Sequence, residues 1–475
     1  MKFKIQVVTV SEDGQEESRE IASLERDDLQ PETLGLTLAE SKAILKDIQE
    51  IVVERQATDF LTSQRGCPDC RRARNLKGYH TLSMRTAFGK LEVKSPRLYH
   101  CDCRPQSTRT FSPLAELLPQ HTTPEMLFLE TKWAALVSYG LTATLLEDVL
   151  PMDEPLNAFT IRQHVFEIAE RIENALGEEK VSFIESCQQD RNSLPIPNGP
   201  LAVGIDGGFI RAQKKEGHFE VIVGKSILSF RREQEVEEES SKCFAFVQTF
   251  DTKPKRRLFE LLKSQGMQEN QQIVFLSDGG EDVRSLPLDL SPEAEHLLDW
   301  FHVSMKLTVL NQSAKGLPVK VGEGEEEYDL RETVLKLIES IKWYLWHGNL
   351  FQALKQLENL EMDLESASFE SGSETTRKLL KAVQEFHTYI KRNRAFIPNY
   401  GERYRNGERI STGFVESAVN QVVSKRMVKK QQMQWSRRGA HLLLQVRTRV
   451  LNGEWEETFR AWYPGFRQQA QSAAA

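Results

Sequence analysis

The chain is 475 residues long, 39% hydrophobic and 28% charged, a composition that supplies a packed core and a length that suits about three domains of ~150 residues. No apolar run approaches the ~18 residues of a membrane span, and Met1-Lys-Phe-Lys lacks the apolar stretch of a secretory signal, so a cytoplasmic protein with no membrane partner is expected. Six Cys are too few for a disulfide scaffold, and four of them fall in two tight pairs, which points to bound metal in a reducing compartment.

The net charge of −7 argues at first against nucleic acid. Its distribution argues the other way. Residues 391–450 hold 14 Lys and Arg against Glu402, Glu408 and Glu416, a basic block in an otherwise acidic chain. Such a block is a footprint for phosphate that a whole-chain charge conceals, although a solvated helix face gives the same pattern.

In chain order, Phe3-Lys-Ile-Gln-Val alternates like a strand, a polar turn follows at Ser11-Glu-Asp-Gly14, and a helix begins at Thr37 with Leu45, Ile48, Ile51 and Val52 on one face. Cys67-Pro-Asp-Cys70 and Cys101-Asp-Cys103 then bracket two strand-like segments, Tyr79–Leu82 and Phe88–Arg97. Two Cys pairs facing each other across a hairpin are how a zinc ribbon presents four thiolates, so one structural Zn²⁺ is expected on Cys67, Cys70, Cys101 and Cys103. The second pair is CxC, so His100 or His80 could replace one sulfur, and unmetallated Cys packed as small apolar groups is the alternative. Arg71, Arg72, Arg74 and Lys77 follow the first knuckle, as phosphate contacts or as solvated cations.

Residues 121–176 read as helices, Met126–Tyr139, Thr142–Val149 and Thr160–Ile172, broken by Gly140 and by Pro151 with Pro155. A short helix, a turn and a third helix opening at Asn157 fit a helix-turn-helix reader with Thr160, Arg162, Gln163 and His164 toward base edges. A plain helical bundle fits equally. Residues 178–200 read as a linker.

Leu201-Ala-Val-Gly-Ile-Asp206-Gly-Gly reads as a buried strand that delivers one carboxylate at a glycine-relieved bend, and Ile273-Val-Phe-Leu-Ser-Asp278-Gly-Gly280 copies it. Between them lie strands His218–Phe230 and Lys242–Phe250, an acidic loop Arg231–Ser241, and an amphipathic helix Pro254–Gln265. A fifth strand is expected over His296–Val303 and a helix from Ser304. This β-β-β-α-β-α-β-α order is that of a ribonuclease-H-like mixed sheet, whose first and fourth strands are neighbours and would bring Asp206 and Asp278 together.

Residues 317–400 interrupt that sheet with an all-helical insertion, Arg331–His347 ending at Gly348, Leu350–Leu364 and Glu374–Arg392. Its Trp343, Tyr344 and Trp346 suit either an extruded base or an aromatic core. The next helix is capped by Ser411 or Thr412, buries Val415, Ala418, Val419, Val422 and Val423, and carries Glu416. Past it, Lys425, Arg426, Lys429, Lys430, Arg437 and Arg438, with Trp435 among them, are the expected DNA-binding cations, joined by Arg162 from the helical domain. The tail from Gln468 reads as unstructured.

The expected fold is therefore multidomain α/β: an N-terminal α+β region with a zinc-ribbon-like module at 67–103 (1–120), a helical, candidate helix-turn-helix domain and linker (121–198), the first part of the ribonuclease-H-like core (199–316), the helical insertion (317–400), and core completion with a basic C-terminal region (401–475). Asp206, Asp278 and Glu416 are the parts of a carboxylate cage for two Mg²⁺ ions roughly 4 Å apart, which can hold the attacking and leaving oxygens of a phosphoryl displacement. Asp-Gly-Gly taken alone is only a turn after a strand.

At these residues the sequence resembles a family. Gly204-Ile-Asp206-Gly-Gly, Leu276-Ser-Asp278-Gly, Asp299-Trp-Phe-His302 and Gly413-Phe-Val-Glu416-Ser look like the DDE motifs of bacterial insertion-sequence transposases, of the ISKra type within the Mutator-like group. The cysteine module with Phe88-Gly89 and Pro96-Arg97, and Met433-Gln-Trp-Ser-Arg-Arg-Gly-Ala-His441, resemble the same family. The resemblance implies a transposase that cuts double-stranded DNA at element ends and transfers strands into a target, with Asp206, Asp278 and Glu416 as metal triad and His302 near the scissile phosphate. It also implies a homodimer or higher synaptic assembly on the bacterial nucleoid. A His in the core at the end of the fifth strand is the other reading of His302. A nuclease of the same fold without strand transfer, and a DNA-binding regulator with a silent nuclease fold, are the rival functions.

Overall fold

A computed structural model describes residues 1–11, 14–103, 109–152, 154–184, 186–197, 199–228, 241–280, 286, 290, 294–317, 329–371, 373–428 and 433–468. The chain forms two compact units, residues 1–168 with 453–475, and residues 169–452. It is mixed α/β. Most of the expected acidic loop at 231–241, the end of the tail, and Lys429 and Lys430 lie outside the described residues.

In the first unit, β1 (Lys2–Val10) pairs antiparallel with β2 (Glu16–Glu25), a strand whose five charged residues hid it in the sequence. The helix α1 (Leu38–Ser63) opens on a capping box, Thr37 accepting from the Glu40 N–H and Glu40 from the Thr37 N–H. Strands β3 (Leu76–Thr86) and β4 (Gly89–Tyr99) form a hairpin, and β5 (Thr110–Phe111) pairs with β4. Ala57 of α1 packs against Leu82, Met84 and Leu114, the last on α2 (Pro113–Leu117).

Three helices follow, α3 (Pro124–Leu136), α4 (Tyr139–Val149) and α5 (Ala158–Ala175). Gly140 does not separate helices as expected: it lies in the first turn of α4, which Ser138 caps by accepting from the Leu141 N–H at 3.3 Å. His164 does not present itself to a base. It is buried, and its Nδ1 pairs with the buried carboxylate of Glu130.

The second unit is organised on a five-stranded sheet. Its strands are β6 (Leu201–Arg211), β7 (His218–Ile227), β8 (Lys242–Val247), β9 (Ile273–Ser277) and β10 (Glu295–Leu298), in the order β10-β9-β6-β7-β8, with α6 (Gln188–Ser193) ahead of it inside the expected linker. β6 runs antiparallel to β7 and parallel to β9, and β10 continues the parallel side. Both faces are buried, which is why β6 and β9 read as continuous apolar runs. On one face Leu201, Val203, Ile205 and Phe275 meet Leu258 and Leu262 of α7 (Pro254–Ser264); on the other, Ala202, Val274 and Leu297 meet Phe414.

The expected fifth strand over His296–Val303 is half that length. It ends at Leu298, and Asp299 caps α8 (Trp300–Ala314) by accepting from the Phe301 N–H at 2.9 Å. The apolar run crosses from strand to helix at the one acid inside it. The insertion is helical where described, with α9 (Leu330–Trp346), α10 (Leu350–Ser371) and α11 (Glu374–Arg392) sharing one core with α8. Gly348 takes φ +70 after α9, as a C-cap requires. Trp346 packs edge-on against Trp300 at 4.9 Å, whereas Trp343 is half exposed.

Then come α12 (Tyr400–Arg405), α13 (Gly413–Val419), a π-helix over Asn420–Val428, and α14 (Arg437–Leu451). The final α15 (Trp455–Trp462) belongs to the first unit, where Phe459 stacks edge-on with Phe128.

A buried ion network fastens the second unit's outer layer. Arg257 of α7 donates from Nε to Asp251 Oδ2 and from Nη1 to Glu173 Oε1, both at 3.0 Å, and from Nη1 to Gln445 Oε1 of α14 at 2.5 Å. His441 lies 3.6 Å from Glu173. Burial opposes ionisation of Glu173, but the His441 ring beside it and the charge and hydrogen bonds of Arg257 hold its pKa down at about 2, from an ordinary 4.5. Arg257→Ala leaves the nearly buried Asp251 and the partly buried Glu173 without their cation and is expected to cost about 3 kcal/mol, read as a lower urea midpoint. Because the folded pKa of Glu173 is the lower one, its contribution is complete above pH 4.5 and is lost as pH falls through about 2. Wild type should therefore lose stability more steeply across that window than Glu173→Gln.

Candidate active site

The parallel register of β6 and β9 sets Ile205 opposite Ser277, and one residue further it sets Asp206 beside Asp278. Neighbouring strands lie about 4.8 Å apart, so two residues 72 positions apart in sequence become lateral neighbours. Asp206 does not stand at a bend, as its glycines suggested. β6 runs on to Arg211, and Gly207 and Gly208 pair with Ile222 and Val221 of β7.

Those glycines serve packing instead. Residues 204, 206 and 208 share one face of β6. A Cβ on Gly204 would fall 2.0 Å from Val415 Cγ2, and one on Gly208 3.1 Å from Val419 Cγ1. Helix α13 thus rests on the two glycines that flank Asp206, and this is the helix that carries Glu416. The chain does turn after Asp278: Gly279 has φ +81, and Asp278 Oδ1 accepts from the Gly280 N–H at 3.0 Å. Helix α11 braces that turn, with Tyr389 Oη donating to the Asp278 carbonyl at 2.9 Å.

Asp299 is the residue whose part was not foreseen. Its carboxylate is fully buried and takes donors from three places: the Phe301 N–H, His302 Nδ1 at 2.8 Å, and Thr412 through both its N–H at 3.0 Å and its hydroxyl. Ser411 or Thr412 was expected to cap the Glu416 helix, and Ser411 Oγ accepts from the Gly413 N–H at 3.4 Å while Thr412 acts otherwise. It does occupy the N-cap position, but its hydroxyl serves Asp299, and only its carbonyl accepts from the helix, from Val415 and Glu416. The advance signals were a lone acid inside an apolar run and the Asp299-Trp-Phe-His302 stretch of the resemblance. His302 lies in the first turn of α8, not at a strand end.

Burial raises the pKa of Asp206, and the carboxylates of Asp278 and Asp299 raise it further, against the Gly207 N–H and the His302 charge. The Asp299 hydrogen bond raises the pKa of His302, with added pull from Asp206 and Asp278. Three acids and one imidazole therefore sense each other in one place. Such a concentration of negative charge fits a divalent cation. Glu416 is less tightly drawn in. It is exposed, and the ligand atoms of Asp206, Asp278 and Glu416 do not all lie within 4.8 Å of one another.

The other expected residues divide sharply. Cys67, Cys70, Cys101 and Cys103 bring four sulfurs within 4.8 Å of one another, a set that could bind a zinc ion. Cys67 and Cys103 lie 3.5 Å apart, Cys70 and Cys101 3.3 Å. The backbone N–H groups of Cys70 and Asp69 point at Cys67 and lower its thiol to about 6, toward the thiolate that a metal needs. Neither His completes the set: His80 Nε2 is hydrogen-bonded with Ser112 Oγ at 3.3 Å, and His100 stacks on Phe111. The group Glu173, Asp251 and His441 also lies within 4.8 Å, but the guanidinium of Arg257 stands where a cation would.

Among the expected DNA contacts, Arg426 is wholly buried over the Trp435 ring and cannot reach phosphate. Apolar neighbours at Val422, Val423 and Met427 drew that face of the helix inward. Lys425 is exposed, and Arg437 and Arg438 are exposed but paired, with Glu216 at 2.8 Å and with Glu170. Arg162 lies over Phe166. No protein-family model matches the chain, and no curated protein matches its sequence.

Two outcomes follow from this geometry. The purified protein should carry about one zinc per chain by elemental analysis, and Cys101→Ser should lose it. His302 should titrate above its ordinary 6.5 in histidine NMR spectra, and Asp299→Asn should bring that titration down. Since its folded pKa is the higher one, the stabilisation that His302 contributes is complete below 6.5 and lost as pH rises through the folded value.

Proposed function

We propose that this chain is the DNA transposase of an insertion sequence, cutting double-stranded DNA at the element's ends and joining those ends to a target. The observation that carries the reading is the β6–β9 pairing that sets Asp206 beside Asp278, with the Glu416 helix laid across the flanking glycines. Support for a ribonuclease-H-like core comes from the sheet order, which by position along the catalytic region runs fifth, fourth, first, second, third strand.

Asp206, Asp278 and Glu416 would hold the two Mg²⁺ ions. When bound, the ions would acidify a water and neutralise charge on the phosphate oxygens. A water oxygen bonds to phosphorus, the P–O3′ bond breaks, and the element's 3′-oxygen leaves and takes up a proton. That 3′-hydroxyl then attacks a target phosphodiester, forming a new P–O3′ bond and releasing the target's own 3′-oxygen. Asp299 holds Nδ1 of His302, leaving its other ring nitrogen to donate toward a phosphate oxygen. The four-Cys module, with zinc, would be structural, and the assembly that joins two ends would be a dimer or larger.

The test is Mg²⁺-dependent cleavage of a labelled duplex bearing the terminal sequence that flanks the gene. Wild type should nick it and join the free 3′ end to a second duplex, whereas Asp206→Ala should bind and not cut, losing on the order of 10³-fold or more in rate. Nicking without joining would instead favour a nuclease of the same fold. Undiminished cutting by Asp206→Ala would overturn the assignment.

A further inference from the structure

Of the cations that the sequence singled out for DNA, Arg426 is buried and Arg437 and Arg438 are already paired, which leaves Lys425 exposed and Arg162 over the Phe166 ring. A different set has no such partners. From Arg65 to Lys77 the chain carries five cations against one acid, Asp69, inside an acidic protein. This stretch is the knuckle of the four-Cys module, folded into a small hairpin in which Gly66 bridges Ala73 and the Arg74 N–H donates to the Arg65 carbonyl at 2.7 Å. The closure brings Arg65 and Arg74 together at the mouth of a cleft of about 410 Å³ between the end of α1 and the β3–β4 hairpin. Lys94 enters from β4, its Nζ 4.9 Å over the ring of Tyr79, which is half exposed. Leu61, Leu76 and Leu98 line the same cleft.

We infer that this cleft and the knuckle beside it are the principal seat of the DNA phosphate backbone, an inference that rests on the transposase reading for the identity of the polyanion. Arg65, Arg72, Lys77 and Lys94 are exposed, and none forms an ion pair with a described residue. Arg74 donates to the Gln64 carbonyl and lies 4.9 Å over the Phe111 ring, both uncharged partners. No carboxylate lines the cleft that Arg65, Arg74 and Lys94 share, and like charges closer than a Debye length of about 8 Å repel one another, a repulsion that an anion from outside relieves. A linear polyanion relieves several at once and releases its own condensed counterions as it does so. The exposed Tyr79 face, already polarised by Lys94, suits a sugar or base beside the phosphates. In Arg437 and Arg438, by contrast, a phosphate must displace Glu216 and Glu170. The four cysteines acquire a consequence here, because the loop they close is what sets Arg65, Arg72 and Arg74 on one module.

The experiment uses the full chain with zinc and fluorescein-labelled duplex DNA, reading anisotropy across a salt series with Ca²⁺ present to prevent cutting. Arg65→Gln/Arg72→Gln/Lys94→Gln should weaken binding more than tenfold, and the slope of log K against log salt should flatten by roughly 2–3, about 0.9 per lost cation. Arg437→Gln/Arg438→Gln should change both far less. Unchanged thermal midpoint and zinc content in the triple variant show that the fold is intact, and each single variant should then lose a proportionate share. Chelating the zinc should weaken binding in wild type. An unaltered slope in the triple variant, a larger loss in Arg437→Gln/Arg438→Gln, or tighter binding of duplex RNA would overturn the inference. Cutting that needs Asp206 with binding indifferent to the cleft would leave the transposase reading standing and this one refuted. Cleft-dependent binding by a protein that never cuts would do the reverse.

Discussion

A single buried carboxylate holds the candidate active site in register. Asp299 is fully buried, and an acid there is tolerable only because donors surround it: a helix N-terminal amide, an imidazole, and both the amide and hydroxyl of Thr412. These donors come from the start of α8 and from a segment 113 residues downstream, after the whole helical insertion. One charge therefore ties the start of α8 to the N-cap residue of the helix that carries Glu416. The Trp300 N–H, donating to the Ile410 carbonyl at 3.0 Å, repeats the same join in the backbone.

Around that node, the sheet trades side chains for proximity. Gly204 and Gly208 give up a Cβ so that α13 can lie directly on β6, which shortens the distance from helix to carboxylate. Downstream of Glu416 the same helix relaxes into π form over Asn420–Val428. A π register weakens the backbone ladder, and the buried Arg447 compensates by donating to the carbonyls of Val422 at 2.7 Å and Gln421 at 2.5 Å. Burial, and then the neighbouring charge of Arg426, lowers the pKa of Arg447 to about 10, still well above neutrality, so it remains a cation there. Basic residues that looked like a DNA footprint are in part the internal bracing of an irregular helix.

Electrostatics separates cations that stabilise this fold from cations left over for something else. Arg257 spends its guanidinium on Asp251 and Glu173, and Arg467 spends its own on Glu125. Arg65, Arg72 and Lys77 of the knuckle form no ion pair with a described residue. A linear charge count weighs all of these alike, which is why the block at 391–450 looked the stronger footprint and the shorter run at the cysteines the weaker one.

Much of the architecture was legible in the order of residues. Apolar runs ending in a lone acid located β6 and β9, the helical periods of the insertion placed α9, α10 and α11 to within a turn except at the far end of α10, and paired cysteines marked their cluster, because strand, helix and ligand spacing are local periodicities. The β2 strand was missed because its charged residues face solvent in a two-stranded ribbon, leaving no apolar alternation to read. What the sequence by itself determined was a set of candidates for chemistry: Asp206, Asp278, Glu416 and four thiols. Which of them meet was decided only by the tertiary structure, through the parallel register of β6 and β9 and the shared donors of Asp299. Those are contacts between segments far apart in the chain, and no local pattern encodes which carboxylate a distant threonine will find.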